Sequence, residues 1–458
     1  MRRFYSLAWL FALPLAFLYL LWRSRRQPEY RRHWGERLGF LSMPDSRPVI
    51  WVHAVSVGET RAAEPLIRAL QARHPDHAIL LTHMTPTGRA TGRALFGDSV
   101  VQAYLPYDLP RLVRRFLDRA RPRLGLIMET EVWPNLFAAC RQRGIPVFLI
   151  NARLSEQSAQ GYARLRPLVQ PALAGLAGIA AQSEADARRL EQLVGPFAPH
   201  PCPLPKGERE SQGRTCHSAS SNASPIHGGG WEGELSLVVT GNLKFDVAPP
   251  ADTAERAAEL RRLFGQRFVV LAASTRDGEE ALLLDALLPL ELPGLLLVIV
   301  PRHPQRFDEV ARLIGARGLG CPRRSRGQAA TGADRVYLGD SMGEMAAYCS
   351  ACDLVIVGGS LLPFGGQNLI EAAAAGKPVL IGPHTWNFEQ ASRDAIAAGA
   401  AREVKDAQAL AEAVRELYQN AEQRQQMGQA GRRFAQAHRG ATERILRLIE
   451  PCLAEKTA

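Results

Sequence analysis

Cysteine is scarce in this chain, with seven residues among 458. Their number is odd and their spacing fits no disulfide framework, which indicates a reducing compartment. Cys349 and Cys352 form a single CxxC pair, and the sequence has no second pair to complete a zinc site. We interpret these two as small residues that precede a buried strand. The others are scattered at Cys140, Cys202, Cys216, Cys321 and Cys452.

The sequence also lacks the short motifs of several large enzyme classes. It has neither a Walker A loop nor a GxGxxG fingerprint, which argues against ATPases and dinucleotide-dependent enzymes. Basic motifs interleaved with aromatic residues are missing, so nucleic acid is not an expected partner. No His, Asp or Glu cluster has metal-ligand spacing, and we expect neither a metal nor a cofactor. The net charge of +11 suits anionic lipid headgroups or phosphorylated substrates, or it reflects only an arginine-rich proteome.

One long apolar run is present, and it lies at the amino terminus. Residues 4–22 are interrupted only by Ser6 and Pro14, and as a helix they would reach about 28 Å, near the thickness of a bilayer core. A small-residue cleavage site is missing after the run, which argues against a cleaved signal peptide. We predict that residues 1–22 are a membrane anchor, either a single span or a helix in the interface. The arginine-rich stretch that follows predicts that residues 23–458 stay in the cytoplasm.

After residue 48, short apolar runs alternate with helical stretches in two series, which predicts two α/β domains, 23–246 and 247–458, facing a cleft. The predicted strands are 49–54, 78–84, 100–104, 124–129, 147–150 and 178–181, then 268–273, 295–300, 335–338, 354–357 and 378–381. We expect one long last helix, near 421–449, to pack back on the first domain. Residues 196–234 are rich in Pro, Ser, Gly and His, which predicts a disordered insert.

In the first series, acidic residues follow predicted strands. Glu59 comes after the first strand, where it is either a general base or a first-turn residue that stabilises the helix dipole. Glu129 and Glu131 leave a later apolar strand, where a carboxylate is costly unless it is solvated or used. Lys244 lies at the junction of the two series and is a candidate partner for an anionic substrate.

In the second series, three loops that follow strands suit a nucleotide. Arg302 follows Pro301 at a strand end, where a guanidinium can bind a phosphate with two hydrogen bonds. The glycine-rich segments 339–345 and 358–366 can offer backbone N–H groups to a phosphate. Glu371 lies one turn into the next helix, within reach of ribose hydroxyls.

Together these segments resemble the Kdo (3-deoxy-D-manno-octulosonic acid) transferase family of lipid A glycosyltransferases. The resemblance covers nearly the whole chain except the insert. The matching stretches are WGERLGF at 34–40, SVGE at 56–59, MTPTG at 84–88, YLPYDLP at 104–110, METEVWPN at 128–135, NARLS at 151–155, GNLKFD at 241–246, VPRHP at 300–304, GDSMGE at 339–344, VGGSL at 357–361, GGQNLIEAAA at 365–374 and GPHTWNF at 382–388.

This resemblance implies a GT-B fold, with two Rossmann-like domains, and an inverting transfer of Kdo from CMP-Kdo to a lipid A precursor. It implies that Glu59 is the proton acceptor and that Glu129 and Lys244 stabilise the transition state. It also places the enzyme at the bacterial inner membrane, on the cytoplasmic side and in contact with its lipid. The residues that it assigns to CMP are Pro301, Arg302, Met342, Gly343, Glu344, Asn368, Leu369, Ile370 and Glu371.

Two departures from the family and two alternatives remain. The insert 196–234 is much longer than the family's usual link, and Arg276 stands where the family often has a His. Another GT-B enzyme, such as an epimerase with a different donor, is the first alternative, although soluble epimerases lack an amino-terminal anchor. A membrane-bound binding module without catalysis is the second, and the intact Glu59, Glu129 and Lys244 argue against it.

Overall fold

A computed structural model describes residues 1–25, 27–43, 46–195 and 236–454 of the chain. The predicted insert, residues 196–234, lies outside the described residues. The chain divides into two compact units. The first comprises Met1–Val247 and Gly440–Ala458, and the second comprises Ala248–Arg439.

The first unit is built around a parallel sheet, in which seven described strands have the order β3-β2-β1-β4-β5-β6-β7. The strands are β1 (Val49–His53), β2 (Ala78–His83), β3 (Val101–Tyr104), β4 (Pro122–Met128), β5 (Val147–Ala152), β6 (Gly178–Ala181) and β7 (Ser236–Val239). Successive side chains point to opposite faces of the sheet, so Trp51 and Ile50 belong to different cores. Apolar side chains on both faces explain the nearly continuous hydrophobic runs that predict these strands.

Helices cover both faces of this sheet. They are α1 (Arg2–Ser24), α2 (Trp34–Arg37), α3 (Val57–Arg73), α4 (Pro86–Phe96), α5 (Pro110–Ala120), α6 (Pro134–Gln142), α7 (Glu156–Arg164), α8 (Arg166–Leu173) and α9 (Glu184–Val194). Ser56, Thr85 and Ser183 cap α3, α4 and α9 by accepting a hydrogen bond from a first-turn N–H. Proline occupies the first position of α4, α5 and α6, where its missing N–H costs nothing.

The second unit has a parallel sheet of six described strands in the order β10-β9-β8-β11-β12-β13. Its strands are β8 (Phe268–Thr275), β9 (Leu295–Pro301), β10 (Val336–Leu338), β11 (Leu354–Val357), β12 (Val379–Ile381) and β13 (Ala401–Glu403). Its helices are α10 (Thr253–Phe264), α11 (Glu279–Leu287), α12 (Phe307–Gly315), α13 (Met345–Ala351), α14 (Ile370–Ala374), α15 (Glu389–Ala397), α16 (Ala407–Gln419) and α17 (Ala421–Ala437). Both units are therefore Rossmann-like.

The end of the chain differs from the single helix predicted near 421–449. The chain turns at Gly440, whose φ is 97°, and a separate helix, α18 (Ala441–Leu453), follows α17. The Asp246 carboxylate accepts hydrogen bonds from the N–H groups of Gly440 (2.7 Å) and Thr442 (2.6 Å). Ile445 and Ile449 of α18 lie in the core of the first unit. Residues 440–458 thus belong to the first unit rather than to the second.

Helix α1 is the one described helix that is long and apolar enough to cross a membrane. It spans 23 residues and includes Pro14. Length and composition alone weakly suggest that the chain associates with a membrane.

Candidate active site

Glu59 lies in the first turn of α3, just beyond the carboxyl end of β1. Its carboxylate accepts hydrogen bonds from the Val55 N–H (2.9 Å) and the Ser56 hydroxyl (2.8 Å). The Ser56 Oγ in turn accepts the Glu59 N–H (3.4 Å), so the two residues cap the helix reciprocally. These contacts fix the position of the Glu59 side chain, which is only 9% exposed.

The environment of Glu59 disfavours its negative charge. Burial raises the pKa of Glu59 to about 7, and the nearby charges of Glu129 and Glu131 add to this effect. The hydrogen bonds from Val55 and Ser56 act in the opposite direction. A carboxylate with a pKa near 7 can accept a proton efficiently at neutral pH, which is what a general base must do.

Glu129 and Lys244 form an ion pair near Glu59. Glu129 follows β4 in a left-handed conformation with a φ of 55°, which is uncommon for a residue with a side chain and often marks a functional site. The Lys244 Nζ lies 3.7 Å from a Glu129 carboxylate oxygen. The Asn151 Oδ1, at the end of β5, accepts the Leu243 N–H (2.9 Å) and so holds the turn that carries Lys244.

Sequence reasoning did not identify the two histidines beneath this group. The His53 ring, at the end of β1, lies 2.8 Å from the Thr82 hydroxyl, and burial lowers the pKa of His53 to about 3. The His83 ring lies 3.0 Å from the Ala54 carbonyl oxygen, and burial lowers the pKa of His83 to about 4. Both rings are therefore neutral; His83 holds the turn between β1 and α3, and His53 links β1 to β2. The signal in the sequence was a histidine at the end of each of two adjacent strands.

In the second unit, cationic side chains gather after β8 and β9. Arg302 follows β9, and its backbone N–H donates to the Thr275 carbonyl at 3.0 Å. Burial and the charges of Arg276, Arg302 and Arg306 lower the pKa of the adjacent His303. The carboxyl ends of parallel strands meet at one edge of a sheet, so this edge is suited to an anionic ligand.

Only some of the groups predicted to bind CMP have side chains facing solvent. Met342 is exposed, and Gly343 has a φ of 81°. The Glu344 carboxylate is buried and accepts hydrogen bonds from Arg324 (2.8 Å), which lowers the pKa of Glu344. The buried Glu344 carboxylate therefore holds the loop of residues 339–345 in place through its pairing with Arg324.

The loop that follows β11 corrects one detail of the prediction. The N–H groups of Gly359 and Leu361 donate to the Glu279 carboxylate, at 2.6 and 3.0 Å, rather than facing a phosphate. The expectation that the glycines at 358–360 offer these N–H groups to a ligand is therefore wrong for Gly359. The buried Glu279 carboxylate, 80 residues earlier in the chain than Gly359, accepts these N–H groups instead.

At the start of α14, the predicted residues divide into a polar pair and two core residues. The Asn368 amide donates to the Glu371 carboxylate (2.9 Å), and its Oδ1 accepts the Ile370 N–H (3.1 Å). The side chains of Leu369 and Ile370 are buried, so these two residues can offer a ligand only their backbone.

The described residues also contain one group with metal-ligand spacing, which the sequence analysis missed. Ligand atoms of His74, Asp76 and His77 lie within 4.8 Å of one another. The group follows the carboxyl end of α3, whereas Glu59 lies in the first turn of the same helix, about 20 Å away along the axis. It is therefore remote from the Glu59 carboxylate.

Comparisons with known proteins agree with this architecture. Residues 32–199 match the family described as 3-deoxy-D-manno-octulosonic-acid transferase (kdotransferase), and residues 331–434 match glycosyl transferases group 1. A 3-deoxy-D-manno-octulosonic acid transferase of Bordetella pertussis is 42% identical over 99% of both chains. A protein of the same description from Haemophilus influenzae is 36% identical, again over 99% of both chains.

A likeness to a solved structure bears on the fold alone. UDP-GlcNAc 2-epimerase from Neisseria meningitidis, bound to UDP-GlcNAc, is 16% identical and covers 88% of this chain and 100% of its own, with a TM-score of 0.56. Together with the two parallel α/β sheets and the group 1 match, this likeness confirms the predicted GT-B fold.

Proposed function

Since the chain belongs to the 3-deoxy-D-manno-octulosonic acid transferase family, we propose that it transfers Kdo from CMP-Kdo to a lipid A precursor, with inversion at the sugar. This reaction is a step in lipopolysaccharide biosynthesis. The observation that carries the proposal is the buried Glu59 carboxylate, with a pKa of about 7, beside the Glu129–Lys244 pair.

In this mechanism Glu59 accepts the proton of the acceptor hydroxyl as its oxygen attacks the Kdo carbon that carries CMP. A sugar hydroxyl is a weak nucleophile, so a fixed base that removes its proton during bond formation lowers the barrier. Attack from the side opposite to CMP inverts the configuration at that carbon. The hydrogen bonds from Val55 and Ser56 supply the required fixed position.

Glu129 and Lys244 stabilise the charges that develop during the transfer. Departure of CMP gives the sugar oxocarbenium character, which a nearby carboxylate stabilises, by analogy with glycosidases. Kdo itself carries a carboxylate, which suits the ammonium group of Lys244. The 3.7 Å separation places the two opposite charges side by side, so each can act on a different part of the reacting sugar.

We assign the donor to the carboxyl edge of the second sheet. Its binding residues are Pro301, Arg302, Met342, Gly343, Glu344, Asn368, Leu369, Ile370 and Glu371. The cationic surroundings of His303 support an anionic ligand at this edge. Glu344 acts by holding its loop through Arg324, while Leu369 and Ile370 contribute through their backbone.

A lipid acceptor requires that the enzyme work at a membrane, and α1 is the described segment that suits this role. We place the protein at the inner membrane, with its two units on the cytoplasmic side, because the arginines after Trp22 outnumber those before Phe4. Anionic lipid headgroups attract such a basic flank.

The experiment is incubation of the purified full-length chain with CMP-Kdo and a tetraacylated lipid A precursor. We expect a lipid product heavier by one or more Kdo residues, and NMR of that product reports whether the anomeric configuration is inverted. Absence of a heavier product with an intact, folded chain would refute the proposed acceptor. Retention of the donor's configuration would refute the proposed inversion by a single direct attack on the donor.

A further inference from the structure

Helix α1 has two faces with different surroundings. A stripe of α1 is partly or fully buried, and its residues are three or four positions apart, which is the spacing of one helical face: Ser6, Trp9, Leu13, Phe17 and Leu20. The opposite side is exposed and apolar. This face is partly covered along its length and fully buried at Leu20 and Ser24, so the helix contacts the unit beneath it along this side.

Polar contacts fix the beginning of this buried face. The Asn135 amide donates to the Ser6 hydroxyl at 3.0 Å. Asn135 is in turn fixed to Asp108, since its amide donates to the Asp108 carbonyl (2.7 Å) and its backbone N–H to the Asp108 carboxylate (3.0 Å). Both Asn135 and Asp108 are buried, so this end of α1 is anchored in the first unit.

Further contacts follow along the same face. The Trp9 and Phe17 rings lie 5.6 and 5.8 Å from the Tyr107 ring. At the end of the helix, the Ser24 hydroxyl accepts a hydrogen bond from Arg31 at 2.8 Å. Eighteen residues separate Ser6 from Ser24, so the contacts extend over about 27 Å of the helix axis.

The exposed face is a continuous apolar stripe. Phe4, Phe11, Leu15, Leu18 and Trp22 are all more than half exposed, at spacings of seven, four, three and four residues. No acidic residue lies within α1. Exposed arginines occupy both ends of the helix, at Arg2, Arg3, Arg23 and Arg25.

We propose that α1 does not cross the bilayer but lies in its interfacial plane, with the stripe of Phe4, Phe11, Leu15, Leu18 and Trp22 buried among the headgroups and upper acyl chains of anionic lipid. This inference rests on the proposed membrane association. A crossing helix would have to break contacts over about 27 Å or draw polar groups of the first unit into hydrocarbon, where no water can satisfy them. An amphipathic helix with arginines at both ends suits an anionic interface.

This placement also links the lipid surface to the candidate catalytic residues. Asn135 lies in the first turn of α6, six residues after Glu129, and contacts α1 directly. A lipid acceptor, whose sugar headgroup lies at the surface of the bilayer, is thereby brought to the edge of the sheet that carries Glu129. The acceptor need not leave the membrane to be used.

The test measures the depth of three positions on the stripe in the full chain. The variants Phe4→Cys, Phe11→Cys and Trp22→Cys are labelled with an environment-sensitive fluorophore and bound to vesicles of phosphatidylethanolamine and phosphatidylglycerol. Nitroxide lipids quench the label at known depths, and the labelled parent chain supplies the background from its own cysteines. Leu20→Cys is the matched control, because Leu20 is buried on the opposite face of α1 and a label there should remain shielded from every quencher.

We expect the three labels to lie at the same shallow depth. A crossing helix would place Phe11 about 10 Å deeper than Phe4, because seven residues separate them, and would place Phe4 and Trp22 in opposite leaflets. That result would overturn the in-plane helix while leaving the transferase proposal intact. Absence of quenching at all three positions would overturn membrane binding by α1 itself. The activity assay with CMP-Kdo is independent of both results.

Discussion

The Lys244 Nζ lies 3.7 Å from a carboxylate oxygen of Glu129, and the pair joins the ends of two strands, β4 and β7, that are not neighbours in the sheet. Glu129 in turn raises the pKa of Glu59. Because Lys244 partly neutralises Glu129, the charge of Lys244 affects the pKa of the proposed base, Glu59. Removing either member of the pair should shift the pH at which Glu59 titrates, in opposite directions.

We predict opposite pH shifts for Glu129→Gln and Lys244→Gln. Loss of the Glu129 charge removes one cause of the raised pKa of Glu59, so the acidic limb of the pH–rate profile should move to lower pH. Loss of the Lys244 charge leaves Glu129 uncompensated, so the limb should move to higher pH. The measurement is kcat against pH for both variants, whose rates should also fall. Shifts of the same sign would contradict the coupling.

We predict that Glu59→Gln lowers kcat about 10²–10⁴-fold, because the amide cannot accept a proton. The dissociation constant for CMP should stay close to that of the parent, since CMP is assigned to the second unit. Glu64→Gln is a matched control on the same helix, where the Glu64 carboxylate forms an ion pair with Arg68. A near-parental rate for a folded Glu59→Gln variant would leave Glu59 as a helix-capping residue only.

The same substitution should change how stability depends on pH. The folded-state pKa of Glu59 is about 7, above the ordinary value of 4.5, so the parent loses stability as pH rises from 4.5 through 7. Ionisation at pH 8 costs the folded parent on the order of 3 kcal/mol relative to the unfolded chain. The Tm of Glu59→Gln minus that of the parent should therefore increase from pH 5 to pH 8. A constant difference in Tm would contradict the raised pKa.

Much of the fold follows from local patterns, and the exceptions have physical causes. Strands β1 and β4 are buried on both faces of the sheet, so nearly every residue in them is apolar. Such continuous apolar runs can be recognised directly in the sequence. Two strands carry too weak a pattern to be predicted: β13 has three residues and is only partly buried, and β7 directly follows the insert. The break at Gly440 was missed because α17 and α18 are both amphipathic.

Part of the candidate site could also be predicted from local sequence patterns. Glu59 and Glu129 follow strands, and their positions at a sheet edge depend only on the order of elements along the chain. The contact of Glu279 with Gly359 joins residues 80 positions apart, and no local pattern encodes it. The pKa of Glu59 likewise depends on burial and on Glu129, which only the folded chain provides.

We predict that activity survives exhaustive treatment with EDTA. The phosphate contacts are assigned to Arg302 and to backbone donors, so no step of the proposed transfer needs a metal. Loss of activity that magnesium restores would contradict this assignment. The group of His74, Asp76 and His77 is the described alternative for a tightly bound ion. A loss that His77→Ala reproduces without EDTA would assign the effect to that remote group.

We predict that Glu279→Ala weakens donor binding, because the Glu279 carboxylate holds the shape of the loop that follows β11. This carboxylate accepts the N–H groups of Gly359, Leu361 and Arg276, at 2.6, 3.0 and 2.8 Å, and so holds the loop that leads to Asn368. Each buried N–H left without an acceptor costs about 1–3 kcal/mol, so the loop should rearrange rather than keep its shape. The dissociation constant for CMP, measured by calorimetry, should rise about tenfold or more, since 1.4 kcal/mol is a factor of ten.

Two further variants separate positioning from general loss of structure. Glu279→Gln keeps one acceptor oxygen, and we expect CMP affinity between those of the parent and of Glu279→Ala. Glu412→Ala, on α16 of the same unit, removes a carboxylate whose described hydrogen bond is to Gln408, and should bind CMP like the parent. At saturating CMP-Kdo, kcat of Glu279→Ala should recover most of its parental value, because Glu59 remains in place. An unchanged dissociation constant in a folded Glu279→Ala chain would show that the loop keeps its shape without this carboxylate.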